Sequence, residues 1–220
     1  MHTQSKKPNS RRNERGSALW FVLVVLILIG LLTAFLSRSG SSVDQSADVE
    51  QQRIKINHML RYVQGIAQAI DQMKLQGISE SDLNFSPTAA DTANCNRSTC
   101  KIFHVDGGGL THQSPPLGVS DTAGAQWIIT GSNNAQNVGT NAADLIMMLR
   151  NVNPAYCAQI NRILNVTMGA PDTAVDFTAF NGAYTASETL NAANGHQAGC
   201  FVFNDGGTVE NVFYRVLVAR

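Results

Sequence analysis

The first feature of the hydropathy pattern is an unbroken apolar run from Ala18 to Leu36, which contains no charged residue. A helix needs ~20 residues to cross the hydrocarbon core of a bilayer. A secretory signal has a shorter core of roughly 7–15 residues, followed by small residues at its cleavage site. Because Phe35 and Leu36 occupy the place of those small residues, the run predicts a membrane-spanning helix rather than a cleaved export signal.

A second apolar pattern follows the run directly, from Ser42 to Leu75. This stretch has no proline and a single glycine, and its apolar residues recur mostly every three or four positions, as on one face of a helix. Gly77 follows as a C-terminal cap. The simplest interpretation is an amphipathic helix that packs on the domain behind it.

A continuous helix from about Ser17 to Gln76, roughly 90 Å long, is the more specific prediction. Its first half, residues 17–40, would lie in lipid, and its exported half, residues 41–76, would lie in the core of the domain. The core stripe of that exported half consists of Leu60, Val63, Ile66 and Ile70.

Beyond residue 76 the elements become shorter and mixed, over about 140 residues, the size of one domain. The pattern predicts a strand, a glycine turn and a return strand in CKIFHVDGGGLTHQ, a strand in QWIITGS, helices in NAADLIMMLRNV and NPAYCAQINRILNV, and two strands in GCFVFNDGGTVENVFYRVLVAR. The predicted class is α+β: a long N-terminal helix, membrane-spanning in its first half, packed on a small antiparallel sheet with additional short helices.

The charges around the apolar run predict its orientation. Positive charge stays on the cytoplasmic side of a membrane, and only Arg38 follows the run closely. The basic residues that precede it are Lys6, Lys7, Arg11, Arg12 and Arg15. We therefore expect a single-pass inner-membrane protein with a cytoplasmic N-terminus and with residues 77–220 in the periplasm or outside the cell.

The cysteines agree with export. Cys95, Cys100, Cys157 and Cys200 all lie beyond the apolar run, and an even number in an exported segment indicates two disulfides, with three connectivities open. Zinc bound by Cys95, Cys100, His104 and His112 is the alternative, but the spacing is looser than in zinc fingers and an oxidising compartment favours disulfides.

The charge balance and the motifs of the chain limit the classes of function to be expected. The 16 basic and 16 acidic residues balance, so no global positive field attracts nucleic acid. DGGG and NDGG indicate turns, and the chain has neither G-x-S-x-G nor H-E-x-x-H. We therefore expect no catalytic residue, no cofactor and no metal, and an exported enzyme is the third-ranked hypothesis.

The head of the long helix, RGSALWFVLVVLILIGLLTAFLSRSG, together with its exported continuation, resembles the type IV pilin and pseudopilin superfamily. In that family a basic leader ends in glycine and is removed by a membrane prepilin peptidase. The resemblance implies that residues 1–16 are the leader, that Gly16 is its last residue and that Ser17 begins the mature chain. It also implies that the N-terminal helix packs against other pilin-like subunits.

One position departs from the family pattern. Most members carry a glutamate at the fifth mature position, which is Phe21 here. That carboxylate is thought to pair with the N-terminal amine of a neighbouring subunit, and Phe21 has no charge to do so. Certain tip-capping minor subunits also lack the glutamate, so the resemblance implies a minor or tip subunit.

The resemblance also implies a disulfide pairing. Many pilins fasten their C-terminal region with one cysteine pair, and YCAQINRIL followed by GCFVF is similar to it. On that basis Cys157 pairs with Cys200, and Cys95 with Cys100.

Two functions follow from these observations. The first is a pilin-like structural subunit of a cell-envelope filament, type IV pilus or type II secretion apparatus, with the lipid bilayer, other subunits and the peptidase as partners. The alternative is a single-pass anchored protein whose exported domain binds a ligand or partner and never polymerises.

Overall fold

The computed structural model describes the backbone of residues 17–220 and the side chains of residues 19–35 and 48–220. The chain divides into two units, Met1–Glu50 and Gln51–Arg220. The predicted leader, residues 1–16, lies outside the described residues.

The first element is helix α1, Ser17–Leu75. Its end has a physical cause, because Gly77 adopts a positive φ of 87°, which glycine accepts without steric cost. The Gly77 amide then donates to the Lys74 carbonyl, and the Ile78 amide to the Met73 carbonyl, each at 3.0 Å. These two bonds satisfy carbonyls that the helix leaves open at its C-terminus.

The predicted membrane-spanning first half of the helix is wrong. No helix among the residues that the structure describes is both long enough and apolar enough to cross a membrane.

The second unit is an α+β domain with one five-stranded sheet. Its strands are β1 (Ile128–Ala135), β2 (Asp144–Leu149), β3 (Glu188–Leu190), β4 (Ala198–Asn204) and β5 (Val209–Val218). Their order is β3-β1-β2-β5-β4. Helix α2 (Pro154–Leu164) lies between β2 and β3 in the chain, and three short 3₁₀ helices occur at Glu80–Asp82, Ser98–Cys100 and Asn191–Ala193.

The sheet is mixed, which corrects the expectation of an antiparallel sheet. β1 pairs with β3 in parallel, whereas the β1–β2, β2–β5 and β4–β5 pairs are antiparallel. The parallel pair arises because the chain returns to the sheet through a long connection, residues 165–187, which lets it enter beside β1 in the same direction.

Two predicted elements are wrong. NAADLIMMLRNV contains strand β2 instead of a helix, and every residue of that strand is buried. A strand covered on both faces carries a continuous apolar run that resembles a buried helix. CKIFHVDGGGLTHQ forms turns instead of a strand pair. A Cβ on Gly108 would lie 2.5 Å from the Ile102 carbonyl oxygen, so this segment folds closely on itself.

Other predicted elements are confirmed. Helix α2 starts at Pro154, and the Asn153 side chain accepts a hydrogen bond from the Ala155 amide as its N-cap. The strand in QWIITGS is β1, and the last two predicted strands are the antiparallel pair β4 and β5.

Two apolar cores cover the faces of the sheet. On one face, α1 packs its residues from Ile56 to Met73 with alternate residues of β2 and β5, among them Leu145, Met147 and Phe213. On the other face, the remaining residues of the same strands pack with β4 and the loops; these include Ile146, Met148, Phe201 and Tyr214. β2 is therefore covered on both sides, and α1 forms the centre of the first core.

Candidate functional site

The predicted processing site lies at the start of the described chain. Gly16 is outside the described residues, and Ser17 is the first residue of α1. Phe21, which takes the place of the family glutamate, is 62 % exposed, and its ring lies 5.9 Å from that of Trp20.

An apolar segment, defined here as residues 19–35 of α1, is the first candidate functional surface. Except for the half-buried Val24, its large apolar side chains are exposed by 51–75 %. The hydroxyl of Thr33 donates to carbonyls of its own helix, those of Ile29 and Gly30, each at 3.0 Å. The segment therefore offers no charged group to a partner; its polar side-chain hydrogens are the Thr33 hydroxyl, which is bonded within the helix, and the indole N–H of Trp20 at its start. A mainly apolar environment matches it.

The predicted core stripe lies in the second unit, on the buried side of α1. Val63, Ile66 and Ile70 are at most 1 % exposed. Leu60 is partly buried against the same core. The stripe serves the stability of the domain, since a side chain of this size stabilises a fold by about 1.5–3 kcal/mol when it is fully buried.

The cysteines form two disulfides. Cys157 of α2 is joined to Cys200 of β4, with 5.3 Å between their Cα atoms. Cys95 is joined to Cys100, with 6.0 Å between theirs. These are the pairs that the pilin resemblance implies, and they leave no free cysteine in residues 48–220.

The proposed zinc alternative does not form. Its two thiolates are consumed by the Cys95–Cys100 disulfide. His104 accepts a hydrogen bond from the Asp106 amide at 3.2 Å, and the His112 ring lies against that of Phe103, 5.1 Å between centroids. Within the described ranges, no three His, Cys, Asp or Glu side chains are grouped as metal ligands.

The buried acidic side chains stabilise loops and do not converge on one site. Asp144 accepts hydrogen bonds from the Ala135 and Arg220 amides, both at 2.8 Å, and burial raises the pKa of its carboxyl. Asp172 accepts from the Ala192 amide at 2.9 Å. Glu210 bonds Arg150 at 2.6 Å. Each carboxylate has a structural partner of its own.

A cavity of about 390 Å³ is the second candidate site, and the sequence did not indicate it. We call it the aromatic cavity. Its wall contains Tyr62 of α1, Trp127 next to β1, and four of the nine phenylalanines, Phe85, Phe103, Phe177 and Phe180. The one signal in the sequence was DFTAF, residues 176–180, which places two aromatic residues in a stretch without helix or strand periodicity.

One side of the aromatic cavity is held by a loop residue, Gln113. The Trp127 indole donates to the backbone carbonyl of Gln113 at 2.9 Å. The backbone amide of Gln113 donates to the Tyr62 hydroxyl at 3.1 Å. The Tyr62 and Trp127 rings lie 6.1 Å apart and are tilted by 36°. Gln113 therefore fixes both rings relative to each other.

Two asparagines fix another part of the wall. Asn84 donates to the Ala90 carbonyl at 2.7 Å and to the Thr92 hydroxyl at 3.1 Å. Asn94 donates to the Ser81 and Leu83 carbonyls, both at 2.9 Å. Their amide protons are thus spent on the protein, and they leave the rings as the main contact surface of the cavity.

No Asp, Glu, Lys or Arg side chain lines the aromatic cavity. Burial raises the pKa of the Tyr62 phenol, so this group stays protonated at neutral pH. The cavity is therefore lined mainly by ring faces and a few hydrogen-bonding groups, and its ionisable side chains are the Tyr62 phenol and the His112 imidazole.

Comparison of the chain with protein families, with curated proteins and with solved structures gave no match.

Proposed function

We propose that this protein is a pilin-like structural subunit of a cell-envelope filament or secretion apparatus, in a minor or tip position. One observation carries the proposal: a single helix, α1, exposes apolar side chains over residues 19–35 and buries Ile56, Ile66 and Ile70 in the domain core. The same element thus belongs to a folded domain and presents a surface that needs a partner.

The exposed apolar segment supports assembly on energetic grounds. Apolar surface removed from water contributes roughly 25 cal/mol per Å², and contiguous exposed apolar surface marks interaction sites in proteins. Lateral packing against the helices of other pilin-like subunits would cover it. The segment carries no charge, and the Thr33 hydroxyl already bonds its own helix, so the Trp20 indole N–H is the polar side-chain group that such packing would have to satisfy.

Phe21 supports the minor or tip position. A carboxylate at this place would have to be paired when it is buried among helices, because an unpaired buried charge costs several kcal/mol. Phe21 is already apolar and needs no partner, but it also provides no link to the amine of a neighbour. A subunit of this kind fits the end of a helical stack better than its middle.

Two further parts of the proposal concern processing and location. The prepilin peptidase would cut between Gly16 and Ser17, so that α1 begins the mature chain. The α+β domain would lie in the periplasm or outside the cell, since its two disulfides are typical of an oxidising compartment.

Photo-cross-linking in cells that naturally make the chain tests the proposal. A benzophenone amino acid at Leu26, in the apolar segment, should give covalent adducts with other pilin-like subunits, identified by mass spectrometry. The matched control is the same probe at Leu117, which is 87 % exposed on a loop of the domain. Adducts with unrelated proteins, or equal adducts at both positions, would favour the alternative of a binding domain that does not polymerise.

A further inference from the structure

The aromatic cavity calls for an explanation that a structural subunit does not need. Its volume of about 390 Å³ falls within the ~300–1,000 Å³ of small-molecule sites, which are mostly apolar and aromatic with a few placed polar groups. Tyr62, Phe85, Trp127 and Phe180 line it and are each only partly buried. Ring surface is therefore exposed inside the second unit.

Water is a poor occupant of this cavity. A buried water typically makes about three hydrogen bonds, but the amide protons of Asn84 and Asn94 and the indole proton of Trp127 already bond the protein. An apolar guest does not need these protons as hydrogen-bond donors. It also supplies dispersion contacts that the wall lacks when the cavity is empty.

The shape of the wall suits a planar ring. Tyr62 and Trp127 present tilted faces, and the Phe85 and Phe180 rings stand nearly perpendicular, at 72° with centroids 6.1 Å apart. Aromatic rings prefer stacked-offset and edge-to-face contacts at 4.5–7 Å. An aromatic guest between these two pairs can make both kinds of contact.

The wall offers little to a charged guest. No Asp, Glu, Lys or Arg lines the cavity, and His112 is the one lining side chain that can carry a positive charge; a buried charge without a partner is strongly unfavourable. The Tyr62 hydroxyl is one hydrogen-bond donor of the wall: among the described residues it is bonded only by the Gln113 backbone amide, which leaves its proton for an acceptor on the guest. His112 and Gln126 also line the cavity and carry N–H groups.

We infer that the aromatic cavity binds a small, uncharged aromatic molecule, with its ring between the Tyr62–Trp127 and Phe85–Phe180 pairs and an acceptor atom at the Tyr62 hydroxyl. This activity goes beyond the proposed structural role and does not depend on assembly. It would give the domain a ligand in addition to its partners.

Two fluorescent probes of the same skeleton test the inference. N-phenyl-1-naphthylamine is uncharged, and 8-anilino-1-naphthalenesulfonate adds one sulfonate. In the full chain with Trp20→Phe, Trp127 is the remaining tryptophan, and its quenching by a bound naphthalene reports the cavity. We expect saturable quenching by the neutral probe, with about one site per chain, and at least about tenfold weaker binding of the sulfonate, equivalent to ~1.4 kcal/mol.

A filling variant and a matched control complete the test. Ala179→Phe adds a ring at the cavity lining and should weaken binding of the neutral probe about tenfold or more. Ile163→Phe, on the exposed side of α2, should leave this affinity unchanged. If Ala179→Phe lowers thermal stability too far, Ser86→Phe repeats the measurement from another part of the lining.

Several outcomes would overturn the inference. These are the absence of Trp127 quenching, equal affinities for the two probes, and unchanged affinity in a folded filling variant. A neutral-probe affinity that falls as the chain dimerises would show that a second copy fills the cavity instead. None of these results would affect the cross-linking of Leu26, so the inference and the proposed function fail separately.

Discussion

Asn161 of α2 bonds both backbone groups of Cys200 on edge strand β4. Its side-chain nitrogen donates to the Cys200 carbonyl at 2.7 Å, and its side-chain oxygen accepts from the Cys200 amide at 2.8 Å. The amide thus takes the place of a neighbouring strand, and it does so beside the Cys157–Cys200 disulfide. Exposed strand edges pair readily with other chains, so this contact closes the edge at Cys200.

Removal of the Asn161 side-chain amide should destabilise the fold and expose the edge of strand β4. Asn161→Ala leaves the Cys200 amide and carbonyl without partners, which costs about 1–3 kcal/mol for a buried group. We expect a lower free energy of unfolding in urea and more self-association by light scattering. Asn141→Ala, at an exposed loop position, is the control. Equal stability of the two variants would show that Asn161 does not support the edge.

The two disulfides should contribute unequally. Cys157 and Cys200 are 43 positions apart, and Cys95 and Cys100 are 5 apart. The chain-entropy estimate gives about 4 kcal/mol for the long loop and about 2 kcal/mol for the short one. Paired serine substitutions, each followed by urea unfolding, should rank in this order. A larger loss for the short loop would mean that local packing, not loop closure, determines the contribution.

The buried stripe of α1 should not accept a charge. Ile66 is fully buried and Gln68 is exposed, so Ile66→Asp places an unpaired carboxylate in the core at a cost of several kcal/mol. That is a large share of the ~5–15 kcal/mol that stabilises a domain. We expect Ile66→Asp to abolish cooperative thermal unfolding of the domain and Gln68→Asp to preserve it. Cooperative melting of both variants would exclude α1 from the core.

Stability should respond to acid through Asp176. Hydrogen bonds from Thr178 first, and from Ser187, lower the pKa of its carboxyl. A lowered folded-state pKa adds stability above the unfolded value of about 3.9 and loses it as pH falls through the folded value. The stability difference between wild type and Asp176→Asn should therefore be largest near neutral pH and shrink below about pH 4. Asp71→Asn, on exposed α1 surface, is the control, and a difference that stays constant with pH would contradict the assignment.

Processing can be followed by mass. Gly16→Trp should block cleavage between Gly16 and Ser17 for steric reasons in cells that contain a prepilin peptidase. We expect wild type to lose residues 1–16 and the variant to keep them, as measured by intact mass of the purified chain. Identical masses and N-termini would contradict the leader assignment.

The sequence predicted those elements whose pattern is local. The stripe of α1 follows from three- and four-residue spacing, and α2 from Asn153 and Pro154 at its start. β2 was mistaken for a helix because its neighbours cover both faces, and a continuous apolar run has no period that distinguishes strand from helix. Its identity as a strand depends on pairing with β1 and β5, which are distant in sequence.

The aromatic cavity could not be predicted for a related reason. Trp127 was assigned to a strand and Tyr62 was not singled out, and their contact depends on a third residue, Gln113. Only tertiary packing brings α1, the loop and the start of β1 together. The spacing of residues along the chain contains no information about such a tertiary contact.

The contacts of α1 with distant parts of the chain determine the order in which the domain can fold. Gln64 on α1 bonds Arg215 on β5, 151 positions later in the chain. Contacts between such distant segments form slowly, because a large loop must close before any of them stabilises the fold. During synthesis, the apolar stripe of α1 therefore remains uncovered until β5 has been made.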